Sequence, residues 1–240
     1  MEIGTLLFLV FIVCLGAFVH GITGFGVGIF LMLFLPYVFS YQMSVGIVTI
    51  CAVVMSSVLL FNTLKNVEIK KALPVLIPTA IIQIISTYFL FALYDNALTI
   101  ILVIILLLFA GLFILSDLRW QIKASVPNGI LAGCITGACN ILGIGGPPVG
   151  YYYHSIFKDN ISYLANTQVT ILTMCALLLI QHIIKGNITL VTLEYSIISS
   201  IVCIAVLLPT LKAFKKLDRS KLTKIIILFL IVMAIIKLVF

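Results

Sequence analysis

Six apolar stretches recur along the chain, each free of central charge and each about as long as a helix needs to be to cross a bilayer. They run from Ser44 to Asn62, Leu73 to Ala92, Ala97 to Leu115, Ile161 to Ile184, Leu190 to Pro209 and Leu222 to Phe240. A helix rises about 1.5 Å per residue, so about 20 residues cover a hydrocarbon core about 30 Å thick. Of 240 residues, 63% are hydrophobic and 9% charged, against about 25% charged in an ordinary soluble domain. Such a stock cannot build a water-facing surface. The predicted fold class is therefore an all-α polytopic membrane protein, with lipid as its main solvent and a bilayer as its first partner.

Two further apolar regions, Ile3 to Phe39 and Val126 to Phe157, are interrupted midway by glycine. The first carries Gly21-Ile22-Thr23-Gly24-Phe25-Gly26-Val27-Gly28. The second carries Gly143-Ile144-Gly145-Gly146-Pro147-Pro148-Val149-Gly150. Glycine permits positive φ and proline removes a backbone donor, so both places favour a broken helix. Ile22-Thr23-Gly24 recurs as Ile135-Thr136-Gly137, and Val48-Thr49-Ile50 as Val169-Thr170-Ile171. These matches fall in order and divide the chain into a repeat over 1–125, including its connecting loop, and a repeat over 126–240. Each would be a glycine-broken hairpin followed by three transmembrane helices.

Orientation follows from Lys and Arg, which enrich short cytoplasmic loops. They collect in three places: Lys65, Lys70 and Lys71; Arg119 and Lys123; and Lys212, Lys215, Lys216, Arg219, Lys221 and Lys224. If the region 126–157 crossed once, the second and third clusters would fall on opposite faces. If it enters and leaves by one face, all three become cytoplasmic, and the two repeats are inverted relative to each other. Eight plain crossings remain the alternative. The net charge of +7 resides in these loops and not on a soluble basic face, so no nucleic-acid partner is expected. The start, Met-Glu-Ile-Gly, lacks the basic segment of a cleaved signal, so the first apolar stretch is expected to stay.

The six cysteines, at 14, 51, 134, 139, 175 and 203, lie in apolar or glycine-rich segments, where free cysteine behaves as a small hydrophobe. No metal, cofactor or catalytic set is expected, since neither a nucleophile with its base nor a zinc-ligand pattern stands in the chain.

A helix broken inside a membrane presents amide donors at the start of its second half, at the positive end of the helix dipole. Anions bind such ends. The predicted substrate-binding set is Gly21, Thr23, Gly24 and Gly26 from the first break, Thr49 from the following span, Thr136, Gly137, Asn140, Gly145, Gly146 and Pro147 from the second break, and Gln168 and Thr170 from the span after it. Each polar member has a structural reading as interhelical hydrogen-bonding glue, and close packing explains Gly24 and Gly137. His20 and His154 flank the two clusters and are candidates for carrying a coupling proton. His182 reads as structural. Tyr151, Tyr152 and Tyr153 fit either a transport path or an aromatic belt.

The segment 21–28, the run Gly133-Cys134-Ile135-Thr136-Gly137 leading to Gly143-Ile144-Gly145-Gly146-Pro147-Pro148, and the spacing of the two halves resemble the sulfite exporter TauE/SafE-like permeases. The resemblance covers nearly the whole chain. It implies a bacterial-type permease of the cytoplasmic (inner) membrane carrying a small anion, often an oxidised sulfur compound such as sulfite or an organosulfonate. The function expected is secondary transport by alternating access around a midplane site, with a proton or sodium ion as coupling partner and room for a homodimer. An anion channel and a membrane-embedded structural subunit are the alternatives.

Overall fold

A computed structural model describes residues 3–90, 95–117, 122–140 and 142–239. Among these residues the chain is helical throughout, with no strand. The helices are α1 (Ile3–Thr23), α2 (Val27–Phe34), α3 (Tyr41–Thr63), α4 (Ile69–Leu90), α5 (Asp95–Asp117), α6 (Val126–Asn140), α7 (Gly146–Ile156), α8 (Asn160–Ile184), α9 (Leu190–Phe214) and α10 (Arg219–Val239). Five of them, α1, α3, α4, α8 and α9, are long and apolar enough to cross a membrane, and the protein is an all-α polytopic membrane protein. The outward faces are apolar: Ile3, Phe61, Leu190 and Ile201 are all well exposed. In lipid such residues need no cover.

The six uninterrupted stretches become α3, α4, α5, α8, α9 and α10, with ends shifted by a few residues. The clearest shift is in α9, expected to stop at Pro209 and found to continue to Phe214. Proline removes one donor from the helix, but the adjacent Thr210 hydroxyl lies 3.0 Å from the Val206 carbonyl and 2.8 Å from that of Leu207. Proline costs the helix one bond, the one to the Ala205 carbonyl, and the surrounding turns carry α9 past it. α10 starts among Arg219, Lys221 and Lys224, so its first turns belong to a charged end of the bundle. Arg119 lies outside the described residues.

Both glycine-interrupted regions are helical hairpins. α1 stops at Thr23 and α2 starts at Val27, with Gly24 at φ +82° and Gly26 at φ +112° between them. α6 stops at Asn140 and α7 starts at Gly146, with Gly143 at φ +75°. In the first hairpin the chain doubles back, since Gly16 of α1 meets Phe30 and Leu31 of α2. The second leans on α4: Gly129 lies against Pro74, Gly133 against Val75 and Pro78, and Gly137 against Thr79 and Gln83. This stripe at every fourth residue lets two backbones run side by side in the same direction, as small residues do in membranes.

These contacts place the connections. The Asn166 side chain near the start of α8 accepts from the Glu68 amide at 3.0 Å and donates to the Asn66 carbonyl at 3.3 Å. Asn160 donates to the Leu217 carbonyl at 2.8 Å. Lys71 sits 4.8 Å above the Phe157 ring. The α3–α4 connection, the α9–α10 connection, the end of α7 and the start of α8 therefore share one end of the bundle, and the start of α6 beside Pro74 joins them. At the opposite end, Gly46 of α3 meets Ile188 and Thr192, and the Phe39 and Tyr195 rings stand 4.8 Å apart.

Candidate functional site

The two breaks meet. A Cβ on Gly28 would overlap the Gly143 carbonyl oxygen, and one on Gly146 would stand 2.8 Å from the Phe25 Cβ. Only bare backbone fits at this crossing. Around it lies a small cavity, about 30 Å³, lined by α1, α2, α3, α8 and both breaks. A volume of that order holds a water-sized guest or two, so the site is nearly closed in this structure.

Of the residues singled out from the sequence, His20, Gly26, Thr49, Asn140, Gly145 and Gly146 line this cavity. The remainder of its wall is apolar or sulfur-bearing, including Met32, Met174 and Cys175. The cavity-facing side chains of α8, Ile171, Met174, Cys175 and Leu178, had no sequence signal, because an apolar residue in a membrane helix does not announce which surface it faces.

The other singled-out residues lie outside the lining of this cavity, and several hold the first break in shape. Tyr163 donates to the Thr23 carbonyl at 2.6 Å and Gln168 donates to the Gly24 carbonyl, also at 2.6 Å. The Thr23 hydroxyl faces the Phe25 carbonyl. Gln168 also places its Oε1 3.4 Å from His20 Nε2. Thr170 receives the Tyr153 hydroxyl at 3.0 Å and itself donates to the Asn166 carbonyl. Gly21 is pressed against Thr210, and Gly137 against the Thr79 carbonyl, so both serve close packing. Pro147 occupies the first turn of α7, where a missing N–H leaves nothing unsatisfied. His154 turns toward α10, with Nε2 2.9 Å from the Thr223 hydroxyl. His182 is buried beside Asn187. The Thr136 hydroxyl is buried and finds no partner among the described residues.

At the second break the polar contacts extend into α4 and α8. Asn140 donates to Gln83 at 2.8 Å, Gln83 to the Thr87 hydroxyl at 3.2 Å, and Thr87 to Gln181 at 2.9 Å. Tyr163, Gln83 and Gln181 are functional-looking polar residues that the sequence reading left aside. The amides of Leu142 and Ile144 close onto the Cys139 carbonyl, and that of Gly143 onto the Asn140 carbonyl.

These bonds create an electrostatic asymmetry. The carbonyl ends of α1 and α6, which carry the negative pole of each helix, are occupied by donors. The amide ends of α2 and α7 carry no capping side chain. Among the described residues, no backbone carbonyl accepts from the amides of Val27, Gly28 and Ile29. In α7, prolines at 147 and 148 leave Gly145 and Gly146 as the donors nearest the cavity. With the carbonyl ends bonded and the amide ends uncapped by side chains, the crossing presents the positive poles of two helix dipoles. His20 adds a buried ring whose Nδ1 has no partner among the described residues. Among the described residues, no Lys or Arg lines the cavity.

No curated protein and no solved structure matches the chain. A family model described as sulfite exporter TauE/SafE matches residues 8–236, from the first helix to the last. The chain belongs to the sulfite exporter TauE/SafE family, a family of membrane transporters.

Proposed function

We propose that this protein is a secondary transporter of a small anion, an oxidised sulfur compound such as sulfite or a short organosulfonate, in a cytoplasmic membrane. The observation that carries the reading is the meeting of two glycine breaks whose uncapped amide ends line one buried cavity. An oxyanion needs several donors at once, and bare amides supply them without a permanent buried cation, which would cost several kcal/mol in hydrocarbon. Thr49 and Asn140 add side-chain polarity, and His20 is the group placed to carry a coupling proton.

Two inverted repeats, 1–125 and 126–240, support alternating access. Exchanging the first five helices for the last five maps the packing onto itself: α4 on α6 becomes α9 on α1, and α3 on α9 becomes α8 on α4, while α3 with α8 and α5 with α10 map onto themselves. The α6–α7 hairpin starts and finishes at the end that holds the basic connections, and the α2 limb returns toward the other end. By the bias of Lys and Arg, the basic end is cytoplasmic. A nearly closed cavity fits an occluded carrier better than an open channel.

The test is uptake by the purified protein in proteoliposomes. Saturable sulfite or ethanesulfonate uptake, with counterflow from vesicles preloaded with unlabelled substrate, is the expected result. Conductance that does not saturate would replace the carrier with a channel, and no flux of any small anion would remove the reading.

A further inference from the structure

A second and much larger cavity, about 630 Å³, lies outside the anion site, between α5 and α6 with α7 as its floor. Its walls are Leu108 and Leu112 of α5 and Leu131 and Ile135 of α6, and Pro148 and Tyr151 form the floor. Among the described residues, no charged side chain lines it. Leu108 and Leu131 are more than half exposed, so the crevice opens sideways toward lipid and not into the centre of the bundle.

Its layout is that of an amphiphile. The wall on α6 runs from Asn128, near the basic end, to Cys139 at the second break. Eleven helical rises of about 1.5 Å span about 16 Å, which is one leaflet of a core about 30 Å thick. Polar groups gather at the mouth: Asn128 there donates to the Lys123 carbonyl at 2.9 Å, and the Tyr152 hydroxyl is close to Gly129. Below them the lining is hydrocarbon until Cys139. Lys123 is exposed, follows Ile122 of the lining and is free of any ion pair among the described residues, so it brings a positive charge to this end of the crevice. On the two-repeat reading, α10 stands to α1 and α2 as α5 stands to α6 and α7. There the protein fills the seam itself, with the Phe229 ring against Gly26. Among the described residues, the α5–α6 seam has no such plug.

We propose that this crevice is a binding site for an anionic phospholipid of the leaflet at the basic end, with one acyl chain lying between α5 and α6 and its phosphate at Lys123 and Asn128. The chain completes the packing of the α6–α7 hairpin, whose tip forms the anion cavity. Lipid occupancy is thereby set beside the moving parts of the transporter.

The test is native mass spectrometry of the full chain in detergent, titrated with dioleoylphosphatidylglycerol or dioleoylphosphatidylcholine, together with thermal unfolding. One phosphatidylglycerol retained per chain, with a raised Tm, is expected. Lys123→Gln should weaken phosphatidylglycerol binding about fivefold, the effect of one basic residue near an anionic surface, and leave phosphatidylcholine unaffected. The double variant Ala132→Phe, Ile135→Phe fills the crevice and should abolish retention of both lipids while leaving the protein monodisperse. Undiminished retention in that variant overturns the site, and equal retention of the two lipids in the unmodified protein overturns the headgroup assignment. If the double variant aggregates, Lys123→Gln decides alone. A dimer that the double variant converts to monomers, with no bound lipid in either form, would give the crevice to a second copy of the chain. None of these outcomes depends on sulfite or sulfonate transport.

Discussion

Gly146→Ala is a minimal perturbation of the crossing between the two breaks. The added methyl would lie 2.8 Å from the Phe25 Cβ and 3.1 Å from its Cγ and Cδ2. Ordinary contact begins near 3.4 Å, so Phe25 or the start of α7 must yield by about half an ångström. Phe25 cannot swing its Cβ aside as a flexible side-chain end could, and it follows Gly24, whose carbonyl is tied to Gln168. Overpacking of this kind costs about 1–3 kcal/mol. The usual helix advantage of alanine over glycine, about 0.5–1 kcal/mol, offsets part of it, leaving a net loss of about 1–2 kcal/mol. Gly111 of α5 provides the control, because a Cβ there meets nothing within 4 Å. Gly111→Ala should therefore be neutral or stabilising. Unfolding followed by fluorescence-detected gel filtration would measure stability, and proteoliposome uptake would measure function, since the displaced α7 carries the Gly145 and Gly146 amides. Gly146→Ala should lower Tm and cut uptake about tenfold or more, and Gly146→Leu should abolish uptake. Equal Tm and uptake in Gly146→Ala and Gly111→Ala would refute the contact between the breaks.

Gln168→Ala leaves the Gly24 carbonyl without its donor in a buried place and should cost about 1–3 kcal/mol. An unchanged Tm would show that water or another group takes its place. A double-mutant cycle on Asn140→Ala and Gln83→Ala should give a coupling of about 0.6 kcal/mol, the average for such bonds in membranes, and strict additivity would dissolve the pair. His20→Asn should remove the response of uptake to an imposed pH gradient while substrate counterflow survives. Retention of gradient-driven uptake would release His20 from any coupling role.

Much of the fold was legible because lipid imposes few solutions. A run such as 161–184 has one way to satisfy its backbone in hydrocarbon, and α8 at Asn160–Ile184 follows it closely. The breaks were legible for the same reason: glycines at 24, 26 and 143 are where positive φ is affordable. The side of each helix was far less so. Gly21 and Gly137 resemble the cavity glycines in sequence, yet they lie against Thr210 and the Thr79 carbonyl, because small residues serve helix packing and ligand approach equally well. Gly28, quoted in the motif but not placed in the site, makes the closest crossing with Gly143. Gln168 and Thr170, expected to meet substrate, are occupied with the first break and with Tyr153, and tertiary partners of that kind leave no periodic trace. Met32, Met174 and Cys175 were invisible as site residues, since an apolar residue on an apolar helix carries no sign of the surface it faces.

Cys175 offers the most direct measurement of an anion held at the crossing, since its thiol belongs to the cavity wall. With the other five cysteines replaced by alanine, its rate of alkylation by N-ethylmaleimide can be followed in proteoliposomes with and without ethanesulfonate. The rate should fall saturably with ethanesulfonate, and ethylammonium at the same ionic strength should have no effect. Identical alkylation with and without any transported anion, in protein that still transports it, would place the substrate elsewhere.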